Sequence, residues 1–190
     1  MIHILGKRNA VRDAINVTSH SQDFGIAFSP FKLGPVDLYD GQTAKLMENA
    51  WQFAKVYPEH LDKDKQPNAL YWAWAKAGWS SPVPQRYPMG KGAKPIYSWW
   101  EGKPLDYIQA RKTIYCPLYS KLVIASPAWP QLQELYRTKT EAYEALYLWD
   151  FDGYDHGNMT YKEIINYDRR PMGHAFILAM LLDNQPVWLN

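Results

Sequence analysis

The sequence predicts a mainly α fold, α+β with minor short strands, organised as one helix-dominated domain spanning residues 1–190. Three observations carry that prediction. In several segments of ten or more residues the apolar side chains recur at spacings of three and four, the pattern of a helix with one buried face. Runs that alternate like strands, or are continuously apolar over strand length, are few and short. Cys116 is the only cysteine, so no internal disulfide braces the chain, and a single hydrophobic core of the size that 190 residues can build must hold it.

In chain order, Ile2 to Leu5 is a short apolar run closed by Gly6, consistent with a first strand. Residues 9–16 carry Ala10, Val11, Ala14 and Ile15 at helical spacing, and residues 18–23 are polar and loop-like. From Gly25 to Leu38, Pro30 and Pro35 and the lack of a helical period predict extended pieces broken by turns, and Asp40-Gly41 is a turn signal. Residues 46–57, LMENAWQFAKVY, read as a helix stopped by Pro58. A second helix is expected over residues 68–77, capped by Gly78. Residues 80–95 hold four prolines and two glycines and form the longest irregular stretch. Loops of that length are commonly functional or disordered, and the tyrosine and arginine in this one argue against disorder. Residues 105–115 and 131–145 read as helices, 146–155 as a strand that opens into a loop, and 173–182 as a helix apolar all round and therefore central. No internal repeat, low-complexity tract or interdomain linker is visible.

Composition narrows the function classes. The formal net charge is only +2, which excludes a strongly basic nucleic-acid coat but not a local basic patch. The 9 Trp and 14 Tyr exceed the usual needs of a core this size, and such rings are also what flat ligands and bases stack upon. One cysteine cannot form a thiolate cluster for zinc or iron–sulfur, and it fits a reducing compartment. No segment combines a basic region with a long apolar run, and none approaches the ~20 apolar residues of a bilayer span. A cytoplasmic protein without a membrane partner is expected.

Four groups of residues have the chemistry of a site. Glu48, Gln52 and Lys55 recur along one face of the predicted helix 46–57, beside Trp51. That row is either a solvated face or the wall of a site in which Lys55 tunes the carboxylate. The cluster WDFDGYDH, residues 149–156, places three carboxylates within six residues, where mutual repulsion raises pKa values, and its resemblance to a calcium loop lacks the remaining ligand positions. Arg86, Lys91 and Lys94 sit around two glycines in RYPMGKGAKP, which suits phosphate contact but is not a Walker loop. His174 at a helix start is a cap or an anion donor, and Cys116 before Pro117 is a packed thiol.

Taken in order, FSPF, ENAWQFAKVY, the basic Gly-rich loop, LDYIQARKTIY, LYLWDFDGYDH and MGHAFILAMLL resemble the NADAR (YbiA-like) family over nearly the whole chain. In detail they are most similar to phage-encoded members that counteract the DNA ADP-ribosylating toxin DarT. The resemblance implies a NADAR domain and an N-glycosidase that removes ADP-ribose from guanine in single-stranded DNA, with no metal, no organic cofactor and no obligate protein partner. It implies Glu48, Lys55 and Asp155 as catalytic residues. Trp51, Gln52, Arg86, Lys91, Lys94, Tyr107, Asp150 and Gly173 would bind substrate. Asp106 and Tyr107 stand where the family has Asp-Trp, Asp150 where a Glu is usual, Arg170 where an Asn is usual, and Asp183 near where an arginine commonly ends the last helix.

The implied chemistry suits these residues. Cleavage between the ribose anomeric carbon and a base nitrogen passes through an oxocarbenium-like state, which carboxylates stabilise while water is deprotonated and the leaving base protonated. Glu48 would activate water or stabilise charge, and Asp155 would position ribose hydroxyls or assist proton transfer. The three cations would meet the pyrophosphate, and Trp51, Trp99 and Trp100 would stack adenine or an unpaired guanine. Two alternatives stand beside this reading: a glycosidase for a small ribosylated metabolite, and a non-catalytic binder that sequesters ADP-ribose or NAD.

Overall fold

The computed structural model describes residues 1–7, 9, 11 and 13–189, and falls into two compact units, Met1–Leu33 with Tyr119–Asn190, and Gly34–Leu118. The fold is a helix-dominated α+β mixture. Among the described residues the strands are β1 (Ile2–Leu5), β2 (Ile15–Asn16), β3 (Val36–Asp37), β4 (Thr43–Ala44), β5 (Lys55–Val56), β6 (Tyr97–Trp100), β7 (Lys103–Leu105) and β8 (Leu146–Trp149). The helices are α1 (Met47–Gln52), α2 (Ala69–Ser80), α3 (Tyr107–Ala110), α4 (Cys116–Ala125), α5 (Trp129–Glu141), α6 (Tyr161–Asn166) and α7 (His174–Leu182).

In the first unit β8 lies between β1 and β2 in a parallel sheet, with Ile2 opposite Leu146 and Ile15 opposite Leu148. Ile2, Ile4, Leu146 and Leu148 are buried while His3, Leu5, Tyr147 and Trp149 between them are half-buried, the alternation by which residues 146–149 read as a strand. α7 is buried from His174 to Met180, as its all-round apolarity predicts. α6 starts at a capping box in which Thr160 accepts from the Glu163 amide while Glu163 Oε2 accepts from the Thr160 amide at 2.7 Å. No helix over Tyr161–Asn166 was expected from the sequence.

In the second unit β3 and β4 form a hairpin whose turn residues Asp40 and Gly41 have φ of 53° and 69°, the left-handed pair that a two-residue hairpin turn demands. Glu101 and Gly102 make the same turn, with φ of 47° and 79°, between β6 and β7. β5 completes that antiparallel sheet in the order β5-β6-β7. Asn68 caps α2 by accepting from the Tyr71 amide at 3.0 Å, and Asp106 with Gln109 forms a capping box at α3. α3 runs into α4 through a π turn over Arg111–Tyr115.

Several elements differ from the expectation. In residues 9–16, Ala10 lies outside the described residues, Asp13 is in a turn, and Ile15–Asn16 pairs with β8 instead of continuing a helix. Gly25 to Leu38 opens on a 3-10 turn, Phe24–Phe28, capped by Asp23, before becoming extended. α5 starts earlier and ends earlier than its predicted span, and Leu105 belongs to β7. Gly78 does not cap α2 but lies within it. A Cβ there would sit 2.1 Å from ring carbons of Phe53, so α1 and α2 approach each other only because this residue has no side chain. The largest difference is α1, which ends at Gln52 rather than reaching Pro58, because Lys55 and Val56 pair with Ser98 and Tyr97 of β6.

Candidate functional site

The early end of α1 decides what the Glu48, Gln52, Lys55 row becomes. Glu48 and Gln52, one helical turn apart, are buried at 5% and 7% exposure, so the row is not a solvated face. Lys55 reaches them from a strand, not from the helix on which the sequence pattern placed it. Gln52 Nε2 donates to Glu48 Oε1 at 2.9 Å, and Lys55 Nζ donates to Gln52 Oε1 at 2.6 Å. Only one orientation of the Gln52 amide satisfies both, with oxygen toward the ammonium and nitrogen toward the carboxylate. The three side chains therefore form a polarised chain from cation to anion.

Burial pulls the Lys55 ammonium down to about 8, against the Glu48 charge, which raises it, and with the help of Arg86, which lowers it. A lysine in that range exchanges its proton readily near neutral pH, as general acid–base chemistry requires. Its Nζ also lies 5.0 Å from the centroid of the Trp51 ring, an additional cation–π contact.

Trp51 is half-buried and meets Tyr115 at 5.2 Å and Tyr107 at 6.4 Å between ring centroids. Tyr107 is exposed, and the guanidinium of Arg111 lies over its ring at 4.6 Å. Arg111 is itself buried, an expensive position for a cation. Arg111 and Tyr115 bound the π turn, a deformation that recurs at functional positions in helices. Neither residue was picked out by sequence reasoning, since a π turn leaves no periodic signature.

Next to Glu48, the fully buried Asn49 ties down the start of the long irregular stretch. Its Nδ2 donates to the carbonyls of Gly78, Ser81 and Val83 at 3.0–3.2 Å, and its Oδ1 accepts from the Gln85 amide at 2.9 Å. Arg86 follows at once, half-buried, with its guanidinium 5.5 Å from the Tyr87 ring, whereas Lys91 and Lys94 are exposed. Asn49 was missed in the sequence, where it looked like one more polar helix residue. Trp99 and Trp100, expected as stacking residues, are both buried, and Trp100 packs edge-on against Tyr39 at 4.9 Å, so the sheet β5-β6-β7 holds them in the core.

The acidic cluster and Gly173 belong to the other unit. Asp150 is 3% exposed, and its Oδ2 accepts from the Ala175 amide at 3.1 Å and faces His174 Nδ1 at 3.2 Å. His174 Nε2 stands 2.7 Å from the Val17 carbonyl, a contact in which that nitrogen is the donor. Gly173 makes room for that carboxylate: a Cβ there would sit 2.3 Å from Asp150 Oδ2. Asp150 and Gly173 thus secure the start of α7. Asp155 is exposed and accepts from the Gly157 amide at 2.9 Å in a local turn. A shallow groove of about 410 Å³ in the same unit, lined by Gln133, Tyr136, Arg137, Thr140, Glu141 and Leu182, contains none of the candidate residues.

Cys116 is buried and its thiol is pushed up to about 12 by desolvation, which removes it as a nucleophile. Among the described residues no group of three or more His, Cys, Asp and Glu side chains is arranged to hold a metal ion, and no helix is long and apolar enough to cross a membrane.

Residues 2–178 match a family described as a family of unknown function (DUF6939). No curated protein and no solved structure matches the chain.

Proposed function

We propose that this chain, which belongs to the family of unknown function DUF6939, is an N-glycosidase that removes ADP-ribose from guanine bases in single-stranded DNA, acting in the cytoplasm as a phage counter-defence against a DarT-type toxin. The observation that carries the glycosidase reading is the buried carboxylate of Glu48, joined through Gln52 to an ammonium held near 8. The resemblance of ENAWQFAKVY and its companion motifs to NADAR enzymes supplies the choice of substrate.

In the proposed reaction a water oxygen bonds to the ribose anomeric carbon as the bond from that carbon to the guanine nitrogen breaks. The electron pair of the broken bond leaves with the base, which takes a proton. Glu48 accepts the water proton and stabilises the oxocarbenium-like charge, because a carboxylate shielded from water acts on it more strongly than an exposed one. Lys55 is the donor to the leaving base, since burial has already weakened its hold on a proton. Trp51 and Tyr107 offer ring faces for a planar base, and Arg86 offers a cation for the pyrophosphate. Each of these side chains belongs to Gly34–Leu118.

The test is incubation with single-stranded DNA carrying ADP-ribosylated guanine, followed by detection of free ADP-ribose and restored guanine. Release from the strand supports the proposal. Release only from a ribosylated mononucleotide moves the substrate to a small metabolite, and tight ADP-ribose binding without any release leaves a sequestering protein.

A further inference from the structure

Between the end of α2 and Arg86 the chain reads S-P-V-P-Q, residues 81–85. Pro82 and Pro84 fix their own φ angles and have no amide hydrogen to place, so the segment arrives already constrained. The residues between them are tied by hydrogen bonds. Ser81 Oγ accepts from the Val83 amide at 3.1 Å, which closes the first bend, and Asn49 holds the rest. Its Nδ2 donates to the carbonyls of Ser81 and Val83 as well as to that of Gly78, and its Oδ1 accepts from the Gln85 amide. One side chain thus grips the segment at both ends and in the middle.

Only a carboxamide can make this set. Nδ2 must donate while Oδ1 accepts, so the isosteric aspartate would face the three carbonyls with a negative charge. Asn49 is fully buried, directly follows Glu48 on α1, and lies in the same unit as everything it binds. The Gly78 and Ser81 carbonyls belong to the end of α2, where a helix leaves carbonyls to be satisfied. The bonds to Val83 and Gln85 do not serve that end, and they extend the hold to the residue before Arg86. Arg86 is half-buried, and its charge bears on the Lys55 ammonium, which it lowers. A guanidinium on a flexible stem loses less freedom on meeting an anion when its own backbone is already fixed.

We infer that Asn49 is a positioning residue: through residues 81–85 it sets the Arg86 guanidinium against the Glu48–Gln52–Lys55 chain, so that the cation for the substrate phosphates stands beside the carboxylate that acts on the sugar. This role rests on the glycosidase reading and deepens it by naming the residue that places the anion contact of that site.

Two measurements on the full chain test the role without turnover: affinity for ADP-ribose, and the Lys55 titration followed by NMR of isotopically methylated lysines. Arg86→Ala weakens ADP-ribose binding roughly 10- to 150-fold, the range for a hydrogen bond to a charged group, and moves the Lys55 titration upward from about 8. Asn49→Ala has the same two effects although it keeps Arg86. In Asn49→Ala combined with Arg86→Ala, neither quantity goes beyond Arg86→Ala alone. Gln85→Pro removes a single donor, the amide that Asn49 Oδ1 receives, and moves both quantities in the same direction; it carries the test if the Asn49 variant does not fold. Effects that add in the double variant, or a Lys55 titration that stays in place in Gln85→Pro, make Asn49 a structural residue only and overturn the positioning role. Coupled Lys55 shifts in a chain that binds no ADP-ribose keep the hold of Asn49 on Arg86 and refute the glycosidase. Release of ADP-ribose from adducts with uncoupled shifts does the reverse.

Discussion

Replacing Glu48 by glutamine removes one charge from the polarised chain while keeping its shape. Gln52 Nε2 donates to Glu48 Oε1 at 2.9 Å, and a glutamine carbonyl accepts that hydrogen bond equally well, so α1 keeps its packing. What disappears is the negative charge that opposes the burial of Lys55. Desolvation and Arg86 then act without it, and the ammonium falls further below about 8. Turnover is expected to fall by roughly 10²–10⁴, the usual contribution of a positioned acid or base, while ADP-ribose affinity stays within a few fold. Two assays run on the same protein. Release of ADP-ribose from a modified strand follows the chemistry, and an NMR titration of isotopically methylated lysines follows Lys55. In the wild type the rate should decline above about pH 8 as Lys55 loses its proton, and in Glu48→Gln the residual rate should decline at lower pH. Near wild-type turnover removes Glu48 from the mechanism. A Lys55 titration that does not move shows that the two ends of the chain are not coupled.

Other outcomes follow from the same geometry. Burial holds Lys55 below its ordinary 10.5, so between about pH 8 and 10.5 the folded chain binds fewer protons than the unfolded one and stability rises with pH across that window, by up to about 1.4 kcal/mol per pH unit. Lys55→Met should lack that rise in urea denaturation, and parallel stability–pH curves for the two proteins contradict it. Gly173→Ala drives a methyl group to within 2.3 Å of Asp150 Oδ2 and displaces it from Ala175 and His174, a loss of about 3–5 kcal/mol by denaturant melts; a loss below about 1 kcal/mol shows that the carboxylate can move aside. Activity should survive EDTA, and a loss that magnesium or calcium restores turns the acidic residues 150–155 into a metal site.

What was legible in the sequence followed the range of the interaction that fixes each element. β1, the irregular stretch and α7 are written locally, as an apolar run, as prolines with glycines, and as an unbroken apolar segment. The caps at Asn68, Asp106 and Thr160 are local as well, each needing a side chain within three residues of the amide it receives, although none was read as a cap and the helix after Thr160 was not expected. Strands of two residues are different. Ile15–Asn16 exists because β8 lies more than a hundred residues away in sequence, and nothing in the spacing of Val11, Ala14 and Ile15 competes with a helix until that partner is present. The π turn that brings Tyr115 to Trp51 is equally silent, since its residues keep helical composition.

The candidate site was readable in its residue types and not in its environment, and the break in α1 explains why. A helix continuing through residue 55 would leave the lysine on a polar face, hydrated and close to its ordinary pKa. Ending the helix at Gln52 lets β5 pair with β6, with Ala54 accepting from the Trp99 amide at 2.7 Å and Lys55 opposite Ser98, which takes the ammonium out of water and aims it at Gln52. The pKa of Lys55 is thus a consequence of a strand pairing made more than forty residues downstream. The helical spacing of Glu48, Gln52 and Lys55 identifies the participants but is not the geometry that joins them. A substitution that weakens the pairing, such as a proline at Ser98, acts on the chemistry of Lys55 without touching any member of the row, because it returns the ammonium to solvent.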